Sequence, residues 1–160
     1  MNVFEFAKKQ ELKTKALYQA ELDKTDNKGL RGILELLISE EDKHYRIFDA
    51  MERNETPEDL GAIDLSQMKV KFAAILDKGV SLPEECADFY AKAMEIEKKA
   101  ENYYREEAGK IENASVSRQL SAIAEEEHKH VVLTENLYLM VSNANPAKWL
   151  ADAEWSGLDQ

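Results

Sequence analysis

"LLISEEDKHYRIF" (Leu36 to Phe48) is an apolar helical run interrupted by two glutamates, an aspartate, a lysine and a histidine. Around it, Leu30, Ile33, Leu37, Glu41, His44, Phe48 and Met51 recur at spacings of three and four, so they share one helical face. Such a stripe belongs against a core. Glu41 and His44 sit in its middle, where a carboxylate is costly unless it is paired or binds a metal.

The same pattern occurs elsewhere. Val3 to Lys24 reads as a first helix with Phe4, Ala7, Glu11, Thr14 and Tyr18 on one face. "TDNKG" breaks it, and Asn27 is a good N-cap for the second helix, which "RNETPEDLG" ends. Residues 54–82 form a long connection with Pro57, Gly61 and Gly79, in which "SQMKVKFAAILDK" predicts a short helix. The third long helix opens at "SLPEE", where Ser81 and Glu84 have capping-box spacing and Pro83 suits a first turn. Its stripe is Phe89, Ala93, Glu97, Ala100 and Tyr104. Asn113 caps the fourth, with Val116, Leu120, Ile123, Glu127, His130, Thr134 and Leu137 in line. "SNANP" stops it, and a tail with Trp149 and Trp155 is expected to pack on the bundle or on a partner chain.

The two halves are copies. Adding 86 takes Ala7 to Ala93, Glu11 to Glu97, Tyr18 to Tyr104, Asn27 to Asn113, Glu41 to Glu127 and His44 to His130, without a gap. The midpoint of Glu11 and Glu41 is residue 26, inside the predicted turn, and that of Glu97 and Glu127 is residue 112. Residues equidistant from a turn lie side by side in an antiparallel hairpin. Each glutamate is about 15 residues, or roughly 22 Å, from its turn. Two such hairpins facing each other bring four glutamates and two histidines to one height. The connection must then run the length of the bundle, so that the third long helix starts parallel to the second.

Composition narrows the function classes. The chain has 160 residues and a formal net charge of −11, which disfavours nucleic acid and anionic membranes as partners. Its single cysteine, Cys86, allows neither an internal disulfide nor a cysteine metal site, and a reducing, cytoplasmic setting is expected. The N-terminal "MNVFEFAKKQEL" is charged and amphipathic, unlike a signal peptide. Two divalent cations would balance four glutamates, and two neutral imidazoles would complete the ligand set. Mixed oxygen and nitrogen ligation with open positions suits iron or manganese better than a closed zinc site. Helical bundles that hold two metals use one Glu from each of two helices and a Glu-x-x-His from each of the other two.

"AKKQELKTKALYQ" and "AMEIEKKAENYY", with "EEDKH" and "EEEHKH", resemble the helices of the rubrerythrin family's di-iron domain, within the ferritin-like proteins. The resemblance covers residues 1 to about 142. It implies an all-α, ferritin-like four-helix bundle with a long crossover, followed by the tail at 143–160. It implies two iron ions, with manganese or zinc as other occupants. Glu41 and Glu127 would bridge them, Glu11 and Glu97 would be terminal ligands, and His44 and His130 would each serve one metal. Tyr18 and Tyr104 would orient carboxylates, although core packing explains their positions equally well.

The implied activity is reduction of hydrogen peroxide or O₂ with electrons from an external donor such as rubredoxin or a flavoprotein, in a homodimer. The alternative is iron storage of the bacterioferritin type. The chain departs from the family in two respects. It lacks the four cysteines of a rubredoxin module, and Ala100 stands where the family carries a further glutamate, with Glu101 one step off the face.

Other residues have plainer readings. Glu40 and Glu126 lie beside the ligands and read as supporting or solvent-facing. His128 reads as a surface residue, Cys86 as a half-buried thiol, and Met51, Met68, Met94 and Met140 as packing residues.

Overall fold

The computed structural model of the chain describes residues 2–59, 61–77 and 85–142. Among them there are five helices and no strand: α1 (Val3–Lys24), α2 (Lys28–Glu52), α3 (Leu65–Asp77), α4 (Glu85–Lys110) and α5 (Ala114–Ser142). None is long and apolar enough to cross a membrane. The expected cap at Ser81–Glu84 and the tryptophan tail lie outside the described residues.

Side-chain amides start three of the helices. Asn2 Oδ1 accepts from Glu5 N–H at 2.8 Å, and Asn27 Oδ1 accepts from Leu30 N–H at 3.1 Å. Asn113, the counterpart of Asn27, accepts from both Ser115 and Val116 N–H. Each such cap satisfies a backbone donor that has no partner within the helix and contributes about 1 kcal/mol.

The long helices pair as α1 with α2 and α4 with α5. Both pairs are antiparallel. In the first, Lys8 Nζ reaches Asp49 at 3.1 Å near the open end, and Lys15 reaches Asp42 at 3.2 Å further in. At the turn, Arg31 Nη1 donates to the carbonyls of Leu22 (2.7 Å) and Thr25 (2.8 Å). In the second pair, Ser117 Oγ donates to Ala108 O at 2.7 Å. Ser117 and Ala108 are the duplicated counterparts of Arg31 and Leu22. One exposed helix-end carbonyl is thus closed at equivalent places by two different side chains.

Apolar residues gather in two clusters. One, near the α1–α2 turn, joins Tyr18, Leu30, Ile33, Leu34 and Leu37 to Tyr90, Leu133, Leu137 and Met140. The other, near the α4–α5 turn, joins Ala7, Phe48 and Met51 to Tyr104, Leu120 and Ile123. The start of α2 therefore neighbours the end of α5, and the connection from Arg53 must travel the length of the helices to begin α4 beside the end of α1. The connection contains α3, whose Met68, Phe72 and Ile75 join the first cluster. Ile75 lies so close to Gly29 that a Cβ there would fall 2.2 Å from its Cγ1. Glycine at 29 lets α3 settle on the start of α2.

Candidate metal centre

Between the two apolar clusters, each long helix turns one carboxylate inward. Glu11, Glu41, Glu97 and Glu127 are all buried, as are His44 and His130. The +86 duplication explains the placement: each hairpin carries its pair at one distance from its turn, and the two hairpins face each other.

The six residues form two overlapping groups of four, and His44, Glu127 and His130 form a third of three. Glu11, Glu41, His44 and Glu127 each offer a ligand atom within 4.8 Å of one another, and so do Glu41, Glu97, Glu127 and His130. Glu41 and Glu127 belong to both. His44 Nδ1 lies 2.8 Å from Glu127 Oε1 and 3.7 Å from Glu11 Oε1. His130 Nδ1 lies 3.4 Å from both Glu41 Oε1 and Glu97 Oε2, and 3.6 Å from Glu127 Oε2.

Two tyrosines complete the inner layer, each crossing to the other hairpin. Tyr18 O–H donates to Glu97 Oε1 at 2.6 Å, and Tyr104 O–H donates to Glu11 Oε1 at 2.8 Å. Of the two readings open for them, the structure adds this hydrogen bond to their packing. On Glu97 the bond takes Oε1 while Oε2 faces His130; on Glu11 the same Oε1 that takes the bond also faces His44.

Several buried atoms here have no hydrogen-bond partner: Glu11 Oε2, Glu41 Oε1, Glu127 Oε2 and both ring nitrogens of His130. An unsatisfied buried polar atom costs about 1–3 kcal/mol, and more when charged. Five in this one cluster, all of ligand type, fit a cage for cations better than a finished polar network.

The groups split in their protonation. Burial pushes the Glu41 carboxyl well up, helped by the charges of Glu11 and Glu97. Burial, then Glu97 and Glu11, raises Glu127 to about 8. Burial also acts upward on Glu11 and Glu97, but their partners outweigh it and both end below the usual range. These partners are Glu41 and His44 for Glu11, and Glu127, His130 and Tyr18 for Glu97. Burial disfavours the imidazolium of His44, yet Glu11 and Glu127 raise it to about 10. His130 rises well above its ordinary value against burial, through Glu97, Glu127 and Glu41. Without metal, then, Glu41, Glu127 and both imidazoles are shifted toward their protonated forms, and Glu11 and Glu97 toward their ionised forms.

The neighbouring polar residues are engaged outside this cage. Glu40 is buried, belongs to neither group, and is held by Lys43 Nζ at 2.6 Å. Glu126 Oε1 pairs with Lys129 at 3.3 Å. His128 is half-buried, not fully at the surface as expected, and lies 3.0 Å from Glu101, which also takes Arg105. Glu101 is therefore engaged outward, beside Ala100. Cys86 is half-buried with Sγ 4.0 Å from Glu21. Sequence reasoning missed the Lys43–Glu40 pair. Its signal was the three-residue spacing of opposite charges on α2.

No family model, no curated protein and no solved structure matches the chain. The buried Glu and His groups could hold a metal ion, in an arrangement compatible with a two-metal site.

Proposed function

We propose that the chain is a di-iron oxidoreductase of rubrerythrin type on a ferritin-like bundle, reducing hydrogen peroxide or O₂ with electrons from a separate donor. The observation that carries this reading is the sharing of Glu41 and Glu127 between two four-residue groups, five of whose buried oxygens and nitrogens lack hydrogen-bond partners. One ion would be held by Glu11 and His44, the other by Glu97 and His130, and both by Glu41 and Glu127. Four carboxylates, two neutral imidazoles and two divalent cations sum to zero charge, which a buried site requires.

Two ferrous ions would supply one electron each to convert H₂O₂ and two protons into two waters. The protein's own part is positioning. Tyr18 and Tyr104 orient the outer glutamates from opposite hairpins, as supporting groups do in metal sites. Burial raises both phenols well above their ordinary value, so they keep the proton that makes these bonds. The apolar clusters on either side exclude bulk water. The single cysteine of these 160 residues cannot build a four-thiolate relay, so this reading draws its electrons from a separate donor.

The test is stopped-flow mixing of the anaerobic, Fe(II)-loaded chain with peroxide. Oxidation much faster than that of free Fe(II) supports the reading. Oxidation at the rate of free Fe(II) overturns it.

A further inference from the structure

A cavity of about 290 Å³ opens between α2, α5 and the segment that holds Pro57, Glu58, Asp59 and Gly61. Its lining is graded in depth. Glu58 and Asp59 are exposed, Glu126 is half-buried, and Glu40 and His44 are buried. His44 is also a member of the glutamate–histidine cluster, so the cavity meets the cluster at that one residue. Four carboxylates line it against one lysine, Lys43, which holds Glu40. Glu126 Oε2, part way down, is buried without a hydrogen-bond partner.

From this we infer that the cavity is the entry route by which divalent cations reach the cluster. The inference rests on the metal-binding reading above. A carboxylate-lined cleft with low-dielectric walls focuses its field and raises the local concentration of cations. An ion leaving water needs oxygen ligands along its path, and Glu126 Oε2 offers one between the exposed mouth and His44. The other side of the site offers no carboxylate. The polar lining of the cavity of about 420 Å³ between α1 and α4 is Gln10, Thr14, Lys99, Tyr103 and Tyr104, beside Phe6 and Ile96.

The experiment follows cobalt(II) uptake by the metal-free full chain in a stopped-flow spectrophotometer. One variant combines Glu58→Gln with Asp59→Asn. Both residues are exposed, and the asparagine retains the acceptor that Asp59 offers to Gly61 N–H. A second variant, Ala122→Phe, obstructs the cavity from an exposed position without changing charge. A control removes equal charge from exposed α4 positions, Glu95→Gln with Glu106→Gln.

The route predicts uptake about 10-fold slower in the Glu58/Asp59 variant at low ionic strength, converging with wild type at high salt. It predicts slower uptake in the Ala122 variant at every salt concentration and no change in the control. Both cavity variants should still reach the wild-type cobalt spectrum and stoichiometry. Wild-type rates in both cavity variants overturn the route alone. A wild-type chain that binds no cobalt removes the site itself, and the route with it.

Discussion

His44 and His130 lie with their ring centroids 5.3 Å apart and their planes 10° from parallel. They come from different hairpins and are related by the same offset that relates the glutamates. With both rings cationic, stacking at this distance is repulsive and is held only by the carboxylates around it. With both neutral and each coordinating a cation, the arrangement carries no such penalty. The site is thus held in a form that suits metal better than protons.

Metal should therefore stabilise the chain. Ligand at about 1,000 times its Kd adds about 4 kcal/mol, which for a chain of this length raises Tm by roughly 10 °C. Differential scanning calorimetry with Fe(II), Co(II) or chelator checks it. An unchanged Tm argues against a folded-state site.

Binding should also release protons. Glu41, Glu127, His44 and His130 are shifted toward their protonated forms, and Glu11 and Glu97 toward their ionised forms. Ions that bind there displace protons from the first four, so affinity rises with pH. Calorimetric titration in buffers of different ionisation enthalpy counts them.

The metal-free protein has its own pH signature. Glu127 is raised from 4.5 to about 8, so its contribution is complete below pH 4.5 and fades as pH rises to 8. His44 is raised from 6.5 to about 10, so its contribution is complete below pH 6.5 and is lost towards pH 10. Glu11 and Glu97 are lowered and contribute the opposite limb, lost on acidification below 4.5. Chelated protein should be most stable near about pH 5 and weaken steadily to pH 10. Denaturant midpoints across that range measure it, and a maximum above pH 8 would contradict the assignment.

Shared and unshared glutamates should behave differently. Glu127→Ala removes a member of both groups and should abolish tight binding of both ions. Glu11→Ala should leave one ion, held by Glu41, Glu97, Glu127 and His130. Cobalt titration distinguishes two, one and none per chain.

Tyr18→Phe removes the donor to Glu97 Oε1 and leaves that oxygen buried. The expected cost to the metal-free protein is about 1–3 kcal/mol, with metal affinity down about 10-fold or more. If Tyr18 only fills space, phenylalanine will leave both unchanged. Tyr104→Phe should do the same through Glu11.

Much of this architecture is legible in the sequence because periodicity and duplication are one-dimensional. Glu11 and Glu41 fall equidistant from a turn marked by Asn27, and the same arithmetic repeats at Asn113, so the shared height of six side chains follows from residue spacing. What pairs across hairpins does not follow. Tyr18 finds Glu97, not a glutamate of its own hairpin, because the helix axes and rotamers decide which neighbour lies within reach. Spacing does not place Glu40 either. It is buried with its carboxylate paired to Lys43. The closure of the Leu22 and Ala108 carbonyls by Arg31 and Ser117 is hidden because the two copies diverged in residue type while keeping the role.

The central claim is tested most directly by loading the chain anaerobically with Fe(II), crystallising it and collecting anomalous data on both sides of the iron edge. The account predicts two peaks per chain about 3.5–4 Å apart, each within bonding distance of Glu41 and Glu127, one beside Glu11 and His44 and the other beside Glu97 and His130. An empty cluster, or iron only at surface carboxylates, would contradict it.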